Sequence, residues 1–162
     1  MPNQETITCK NNFGETVTLP KKKFEFRPSV YAIIRHNDKI CVCKNKSNGK
    51  YWLPGGGVEK GEPRIDALMR EIDEETGLKH VEIERLIDSY ENFFFYQPTD
   101  EAMHAFLFFY AGSSEETDCK TGDLIDDEEV TDWEWKTFEE IQDISFSSLD
   151  DEIHKMIAGL KT

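Results

Sequence analysis

The clearest hydrophobic pattern of the chain lies between residues 63 and 78. Apolar side chains recur there at i, i+3, i+4 and i+7, the spacing of an amphipathic helix: Ile65, Leu68, Met69 and Ile72. Pro63 suits a first-turn position because its missing N–H has no helical partner to lose. Gly77 suits the residue just past a helix end. The pattern predicts a helix over residues 63–76.

Residues typical of β-strands dominate on both sides of this helix. Residues 29–34 and 39–44 flank an Asn37-Asp38 turn, which is typical of a β-hairpin. Further strands are predicted over residues 51–53, 81–96, 102–111 and 133–136. The long or bent strand 81–96 should pair antiparallel with strand 102–111. After a helical turn over residues 138–141, the chain is predicted to end in a helix over residues 148–160, with Ser148 and Asp151 as its capping box.

The first 26 residues contain two short β-prone runs, 7–9 and 17–19, around the turn-rich sequence Asn11-Asn12-Phe13-Gly14. They predict an N-terminal extension with a short β-hairpin, residues 1–26, followed by one main domain, residues 27–162. The order of strands, helix, strands and helix predicts an α/β (α+β) fold. In that fold a mixed β-sheet is sandwiched between helices, as an α/β/α sandwich.

Composition and charge argue against several classes of protein. The net charge of −14 over 162 residues argues against a protein that binds the backbone of nucleic acids, because such proteins need clustered lysine and arginine. No apolar run approaches the roughly 20 residues that span a bilayer. The four cysteines form no CxxC pair and predict neither a zinc site nor disulfides. We therefore expect a cytoplasmic protein that does not contact membranes.

Negative charge is concentrated at the end of the predicted helix. Glu71, Glu74 and Glu75 follow i, i+3, i+4 spacing and project from one side, where they repel one another and oppose the helix dipole. A solvated helix end is one explanation. The other is a divalent cation, which would remove the conflict, since Mg²⁺ takes oxygen ligands and shares its shell with phosphates. Residues 55–57, all glycine, would let the backbone approach such an ion, and Arg70 could orient a carboxylate.

The whole segment resembles the Nudix box. Gly56 is followed after five residues by Glu62, and after seven more by Arg70-Glu71-Ile72-Asp73-Glu74-Glu75-Thr76-Gly77-Leu78, so that every fixed position of the pattern is filled. The resemblance covers roughly residues 27–160. It implies a mixed sheet between helices and hydrolysis of a nucleoside diphosphate linked to another moiety. The products would be a nucleoside monophosphate and a phosphorylated moiety or pyrophosphate, and Mg²⁺ or Mn²⁺ would be the cofactor.

The same resemblance implies roles for individual residues. Arg70 would orient a box glutamate, and Glu71, Glu74 and Glu75 would bind metal or assist in removing a proton. Gly56 would offer its backbone carbonyl to the metal. A further glutamate outside the box is expected as a ligand, and Glu129 is preferred over Glu128, although a solvated loop charge explains either equally well.

The sequence indicates less about the substrate than about the metal site. Candidate substrate-binding residues are Arg27, Tyr31 and His104, although a histidine within a strand is more often a core or surface residue. The run from Phe93 to Tyr96 could stack on a base, but at strand spacing at least half of it should belong to the core.

Three small-molecule or polymer substrates remain open: nucleoside triphosphates, nucleotide sugars or ADP-ribose, and RNA 5′ ends. The charge disfavours RNA. A nucleotide-binding or regulatory module with little catalysis is the alternative function. A homodimer through the N-terminal hairpin also stays open.

Overall fold

The structure, a computed structural model, describes residues 5–46, 48–119 and 130–161. These residues contain nine strands and three α-helices, with short 3-10 helices at Lys21–Lys23 and Gln97–Thr99. In chain order the elements are β1 (Thr6–Asn11), β2 (Thr16–Pro20), β3 (Phe24–His36), β4 (Lys39–Asn45), β5 (Tyr51–Trp52), β6 (Gly55–Gly57), α1 (Arg64–Thr76), β7 (Val81–Tyr96), β8 (Glu101–Ser114), β9 (Val130–Thr137), α2 (Phe138–Ile141) and α3 (Asp150–Gly159).

The described strands form one mixed, curled sheet in the order β2-β1-β7-β8-β3-β4-β5, with β6 paired to β3 and β9 paired to β4. Its centre is the long parallel pair of β3 and β8, which runs over residues 24–35 and 102–113. Strands β7 and β8 pair antiparallel, as predicted, and two register shifts bend them. Strands β1 and β2 form a hairpin, and β1 joins β7 in parallel through Lys10 and Asn11.

Alternate side chains of the central strands pack into two separate cores, because successive strand residues face opposite sides of a sheet. The core on one face joins residues of β3 and α1: Val30, Ala32, Ile34, Ala67, Leu68 and Ile72. The core on the other face joins β3 and β4 to α2 and α3: Ile33, Ile40, Val42, Ile141, Ile153 and Ile157. The sheet therefore lies between helices, which confirms the predicted α/β/α arrangement.

Helix α1 agrees with the prediction at both ends. Pro63 is its N-cap, and Gly77 adopts φ +74° and donates its N–H to the Asp73 carbonyl oxygen. The predicted core position of Ile65 is wrong, since this side chain is 42% exposed. Burial along α1 begins only at Ala67, so the first turn of the helix extends past its packing surface.

The predicted capping box at the last helix is also wrong. Leu149, with φ +51°, precedes the first residue of α3, and no side chain caps that end. Ser148 Oγ instead accepts a hydrogen bond from Asn92 Nδ2 (3.0 Å), and Asp150 Oδ1 accepts one from the Phe146 N–H. Ser148, one of the two residues predicted to form the capping box, therefore hydrogen-bonds to β7 instead of capping α3.

Two further predictions concern the boundary between the N-terminal extension and the main domain, and the membrane. Strand β3 begins at Phe24 and crosses the predicted boundary between residues 26 and 27, and the division into extension and domain stays a prediction. None of the helices in the described ranges is long and apolar enough to cross a membrane.

Candidate functional site

The glycine strand β6 lies between β3 and α1 and touches both. It pairs antiparallel with β3, so that Gly56 lies opposite Val30 and Gly55 opposite Tyr31. Gly55 has φ +148°, and a Cβ there would lie 2.0 Å from the Val30 carbonyl oxygen. A Cβ on Gly56 would lie 2.6 Å from Glu71 Cδ. The absence of side chains therefore brings the loop backbone directly against a carboxylate of α1.

Helix α1 is held rigidly where it presents the glutamates. Leu68 and Ile72 are fully buried, and the left-handed Gly77 ends the helix one turn later. Thr76 Oγ1 donates to the Ile72 carbonyl oxygen, and Trp133 Nε1, from β9, donates to the carbonyl oxygen of Glu75 (3.0 Å). These contacts leave the Glu71, Glu74 and Glu75 side chains on the side away from the core, as their spacing predicts.

Arg70 ties the acidic groups together. Its Nε and Nη2 donate to the two carboxylate oxygens of Glu62 (2.8 and 2.9 Å), a bidentate pair. Its Nη1 donates to Glu71 Oε1 (2.9 Å) and Glu74 Oε2 (3.3 Å), and Nη2 also reaches the Gly57 carbonyl oxygen (3.2 Å). Arg70 therefore donates hydrogen bonds to three carboxylates of the segment, with Glu62 as its bidentate partner.

Burial and hydrogen bonding act in opposite directions on these carboxylates. Burial raises the pKa of Glu71, and the hydrogen bond from Arg70 partly offsets that rise. The Arg70 guanidinium holds the pKa of Glu62 at about 2, chiefly through its side-chain hydrogen bond. The same pairing raises the pKa of Arg70 above its ordinary value. Glu71 is therefore a partly buried carboxylate that a second cation would stabilise.

The donor set fits a hard divalent cation, since it consists of carboxylate oxygens beside a backbone without side chains. Glu75 Oε2 accepts a hydrogen bond from the Gly55 N–H (3.1 Å), which brings a second carboxylate to the glycine strand. Among residues 5–46, 48–119 and 130–161, however, no three Asp, Glu, His or Cys side chains are arranged so that they could hold a metal ion as they stand. Hydrogen bonds to Arg70 and Gly55 hold the glutamates instead. The predicted ligand Glu129 lies outside the described residues.

A cavity of about 600 Å³ opens beside Glu74 and Glu75, a volume typical of small-ligand sites. The predicted residues Arg27 and Tyr31 both line it. Its other walls come from four parts of the fold. These are β4 and the residues after it (Cys43, Asn45, Asn48, Lys50, Trp52 and Leu53), β7 and β8 (Asn92, Phe94, Tyr96, Glu101, Met103, Ala105 and Leu107), the N-terminal hairpin (Asn11, Asn12, Phe13 and Gly14), and single residues Ser29, Trp133, Ser147 and Ser148.

Arg27 and Tyr31 differ in how they meet the cavity. The Arg27 guanidinium lies beside the glycine strand, with its Nε 3.6 Å from the place where a Cβ of Gly57 would be. It is the positive group next to the acidic cluster on the β3 side. The Tyr31 ring stacks on Phe109 (5.6 Å between centroids) and meets Trp52 edge to face (5.1 Å). Burial raises the pKa of Tyr31, so its hydroxyl stays protonated at neutral pH.

His104 is not brought to the cavity. Along β8 the cavity is lined by Met103, Ala105 and Leu107, so His104 faces the opposite side of the strand. There its ring stacks on Phe93 (4.2 Å) and Phe106 (4.7 Å), and its Nε2 pairs with Glu91.

The aromatic run of β7 divides by the same alternation. Phe94 and Tyr96 line the cavity, whereas Phe95 is buried in the small cluster under the N-terminal hairpin. The four cavity residues of the hairpin tip were not predicted as site residues. Their sequence indicates a turn, and only the pairing of β1 with β7 places that turn at the site.

Comparisons with known proteins concern the family and the fold of the chain. The family model of the NUDIX domain matches residues 25–157. An RNA pyrophosphohydrolase from Pelagibacter ubique is 31% identical over 129 residues, covering 69% of this chain and 76% of the relative. An ADP-ribose pyrophosphatase from Methanocaldococcus jannaschii is 45% identical over 65 residues, but these cover only 37% of this chain and 38% of the relative.

Solved structures resemble the fold over most of its length. A NUDIX hydrolase from Nitrosomonas europaea superposes with a TM-score of 0.64 and 19% identity, over 99% of this chain and 89% of that one. A UDP-X diphosphatase superposes with a TM-score of 0.58 and 20% identity, over 83% of this chain and 62% of that one. At such identities the likeness concerns the fold alone.

Proposed function

This chain belongs to the Nudix hydrolase family, and we propose that it cleaves the diphosphate linkage of a small nucleoside diphosphate derivative with Mg²⁺ or Mn²⁺ as cofactor. Nudix hydrolases generally depend on divalent metals. One observation carries the proposal: Glu74 and Glu75 line the same 600 Å³ cavity as Arg27 and Tyr31. Carboxylates for a metal, a cation for phosphate and aromatic surface for a base therefore meet in one space of nucleotide size.

The residues of the candidate site have different roles in the proposed reaction. The side chains of Glu71, Glu74 and Glu75, with the carbonyl group of Gly56, would hold the cation. Bound there, Mg²⁺ or Mn²⁺ would offset the charge of the diphosphate and acidify a water molecule. Arg70 keeps Glu71 and Glu74 in place through its hydrogen bonds. A box glutamate accepts the proton of the attacking water, and Arg27 contacts the phosphates.

The charge of the cavity favours small nucleotides over RNA. The curated relatives include an RNA pyrophosphohydrolase and an ADP-ribose pyrophosphatase, so their names alone leave both classes open. Among the described residues, the basic ones along the cavity are Arg27 and Lys50, whereas Glu74, Glu75 and Glu101 are acidic. A polynucleotide would require a continuous basic surface, and the chain carries a net charge of −14.

The direct test is a substrate panel with and without Mg²⁺ or Mn²⁺. It should include nucleoside triphosphates, ADP-ribose, a nucleotide sugar and a 5′-triphosphorylated RNA oligonucleotide, with nucleoside monophosphate, pyrophosphate and phosphate measured as products. We expect metal-dependent release of nucleoside monophosphate from at least one small substrate. Tight binding of ADP-ribose by calorimetry, without turnover of any compound, would instead indicate a nucleotide-binding module.

Two further expectations belong to the same proposal. All four cysteines, Cys9, Cys41, Cys43 and Cys119, are free in the structure, and Cys41 and Cys43 lie in one core as their spacing predicts. Free buried thiols suit a reducing compartment, which supports a cytoplasmic location. A homodimer through the N-terminal hairpin stays a prediction that a sedimentation experiment would test.

A further inference from the structure

The tip of the N-terminal hairpin, residues 11–14, precedes the part of the chain that matches the family, yet it lines the same cavity as Glu74 and Glu75. We propose that this tip is a fixed wall of the substrate cavity, that Phe13 stacks on the nucleobase, and that the wall restricts the enzyme to small nucleotides. The inference rests on the proposed function because it concerns the same cavity.

The tip has a defined shape of its own. Asn11 is polar but only 4% exposed, because its side chain builds the turn. Its Oδ1 accepts hydrogen bonds from the N–H groups of Phe13 (3.0 Å) and Glu15 (2.9 Å). Gly14 adopts φ +79°, which a residue with a side chain rarely does. The turn therefore holds the Phe13 backbone in one place.

The tip is also tied to the loops on either side of the cavity. The Gln97 N–H donates to Asn12 Oδ1 (3.2 Å), and Asn11 Nδ2 donates to Gln97 Oε1 (3.3 Å), which joins the tip to the β7–β8 turn. Asn48 Nδ2 donates to the Asn12 carbonyl oxygen (3.3 Å), which joins it to the β4–β5 loop. A wall held from both sides costs little further ordering when a ligand binds.

Phe13 is the group of this wall that a ligand would contact. Its side chain is 53% exposed although it is large and apolar, and its backbone N–H donates a hydrogen bond within the turn. Phe94 and Tyr96 of β7 line the same cavity, so that aromatic residues are present both in the wall and in the sheet. A nucleobase of any type stacks on such surface, since every base has a π face.

The same arrangement explains why a polymer is a poor substrate. The tip bridges the β4–β5 loop and the β7–β8 turn, so the nucleotides that follow an RNA 5′ end would have to pass a wall that hydrogen bonds hold in place. Lys10, Lys46 and Lys50 are the basic residues of the hairpin end and the β4–β5 loop, too few for a phosphate track. A small nucleoside diphosphate derivative has no further nucleotides that would have to pass this wall.

Binding measurements separate this inference from the proposed function. The dissociation constants of AMP and ribose 5-phosphate should be measured by calorimetry for wild type, Phe13→Ala, Phe13→Tyr and the control Phe26→Ala. Phe26 is a matched control because its ring is 77% exposed and packs beside His104 and Phe106, away from the cavity. We expect Phe13→Ala to weaken AMP at least about 5-fold. Ribose 5-phosphate should be unaffected, and Phe13→Tyr and Phe26→Ala should resemble wild type.

Kinetics with the best small substrate of the panel should then show an increased KM for Phe13→Ala at nearly unchanged kcat. The wild-type enzyme should cleave a 5′-triphosphorylated RNA at least about 100-fold less efficiently than that small substrate. Unchanged AMP binding in Phe13→Ala, an equal loss for ribose 5-phosphate, or efficient cleavage of RNA would each overturn the inference and leave the hydrolase assignment standing. Absence of turnover with intact, Phe13-dependent AMP binding would contradict only the proposed function.

Discussion

Gly56 and Glu71 are in direct contact across the candidate site: a Cβ on Gly56 would lie 2.6 Å from Glu71 Cδ and 2.8 Å from each carboxylate oxygen. An alanine at this position must displace the carboxylate or the glycine strand. Because shifts of about 1 Å at a catalytic group can cost about 100-fold in rate, we expect Gly56→Ala to lower kcat by about that factor. Steady-state kinetics with the best panel substrate provide the measurement.

Gly57→Ala is the control for that substitution. A Cβ at Gly57 would lie 3.6 Å from Arg27 Nε and Nη2, an ordinary van der Waals contact. This variant should retain at least about tenfold more activity than Gly56→Ala. Equal activities of the two variants would show that the contact between Gly56 and Glu71 is irrelevant to catalysis.

Neutral substitutions of the box glutamates should separate catalysis from folding. Glu71→Gln and Glu75→Gln keep the size of each side chain but remove its charge, so we expect turnover to fall by about 10²–10⁴-fold. The midpoint of thermal unfolding should change little, because neither side chain belongs to a core. Asp66→Asn, an exposed acid in the first turn of the same helix, is the matched control and should be active. Activity near wild type in both glutamine variants would contradict their roles.

Arg70→Lys tests whether the geometry of the guanidinium matters, since the charge is kept. Lysine cannot donate two parallel hydrogen bonds to Glu62 while also reaching Glu71 and Glu74. We expect kcat to fall about 10- to 100-fold. If Arg70 acts through the glutamates, Glu62→Gln should reduce kcat in the same direction, and the double variant should lose less than the product of the two. Full additivity would indicate independent roles.

The pairing of Glu62 with Arg70 also predicts how stability depends on pH. The pKa of Glu62 is about 2 in the folded protein, and an unfolded glutamate titrates near about 4.3. The folded state therefore binds fewer protons between these values, and the stabilisation is present above about pH 4.3 and lost as pH falls toward 2. Unfolding midpoints of wild type and Glu62→Gln should differ at pH 7 and converge at low pH. A difference that is constant with pH would refute the ion pair.

Two hydroxyl residues near the last helices should respond differently to alanine. Thr137 and Glu140 form a capping box at α2, in which Thr137 Oγ1 accepts from the Glu140 N–H (3.1 Å) and Glu140 Oε2 from the Thr137 N–H (2.8 Å). Thr137→Ala should lower the free energy of unfolding by about 1 kcal/mol. Ser148→Ala should cost less, because Ser148 does not cap α3. Denaturant unfolding of both variants provides the measurement. A larger loss of unfolding free energy for Ser148→Ala than for Thr137→Ala would disprove this assignment.

Much of the site could be predicted because it is encoded within one helix and its flanking turns. The spacing of Glu71, Glu74 and Glu75, the start at Pro63 and the end at Gly77 depend on contacts no more than about four residues apart. The same holds for the pairing of β7 with β8, since the two strands are joined by a short turn. The prediction of a capping box at α3 was wrong because Asn92, 56 residues away from Ser148, donates a hydrogen bond to the Ser148 hydroxyl group.

The amino-acid sequence by itself predicted the acidic helix and the glycine run before it, because both depend on local backbone geometry, and the resemblance of this segment to the Nudix box implied the class of reaction. The tertiary structure alone decided which side chains line the cavity beside this segment. His104 faces away from the cavity and Phe94 faces into it because successive side chains along β8 and β7 point to opposite faces of the sheet. The curvature of that sheet, which decides which face lines the cavity, is not encoded in any local pattern. Phe13 lies at the cavity because β1 pairs with β7 across more than 80 residues of chain.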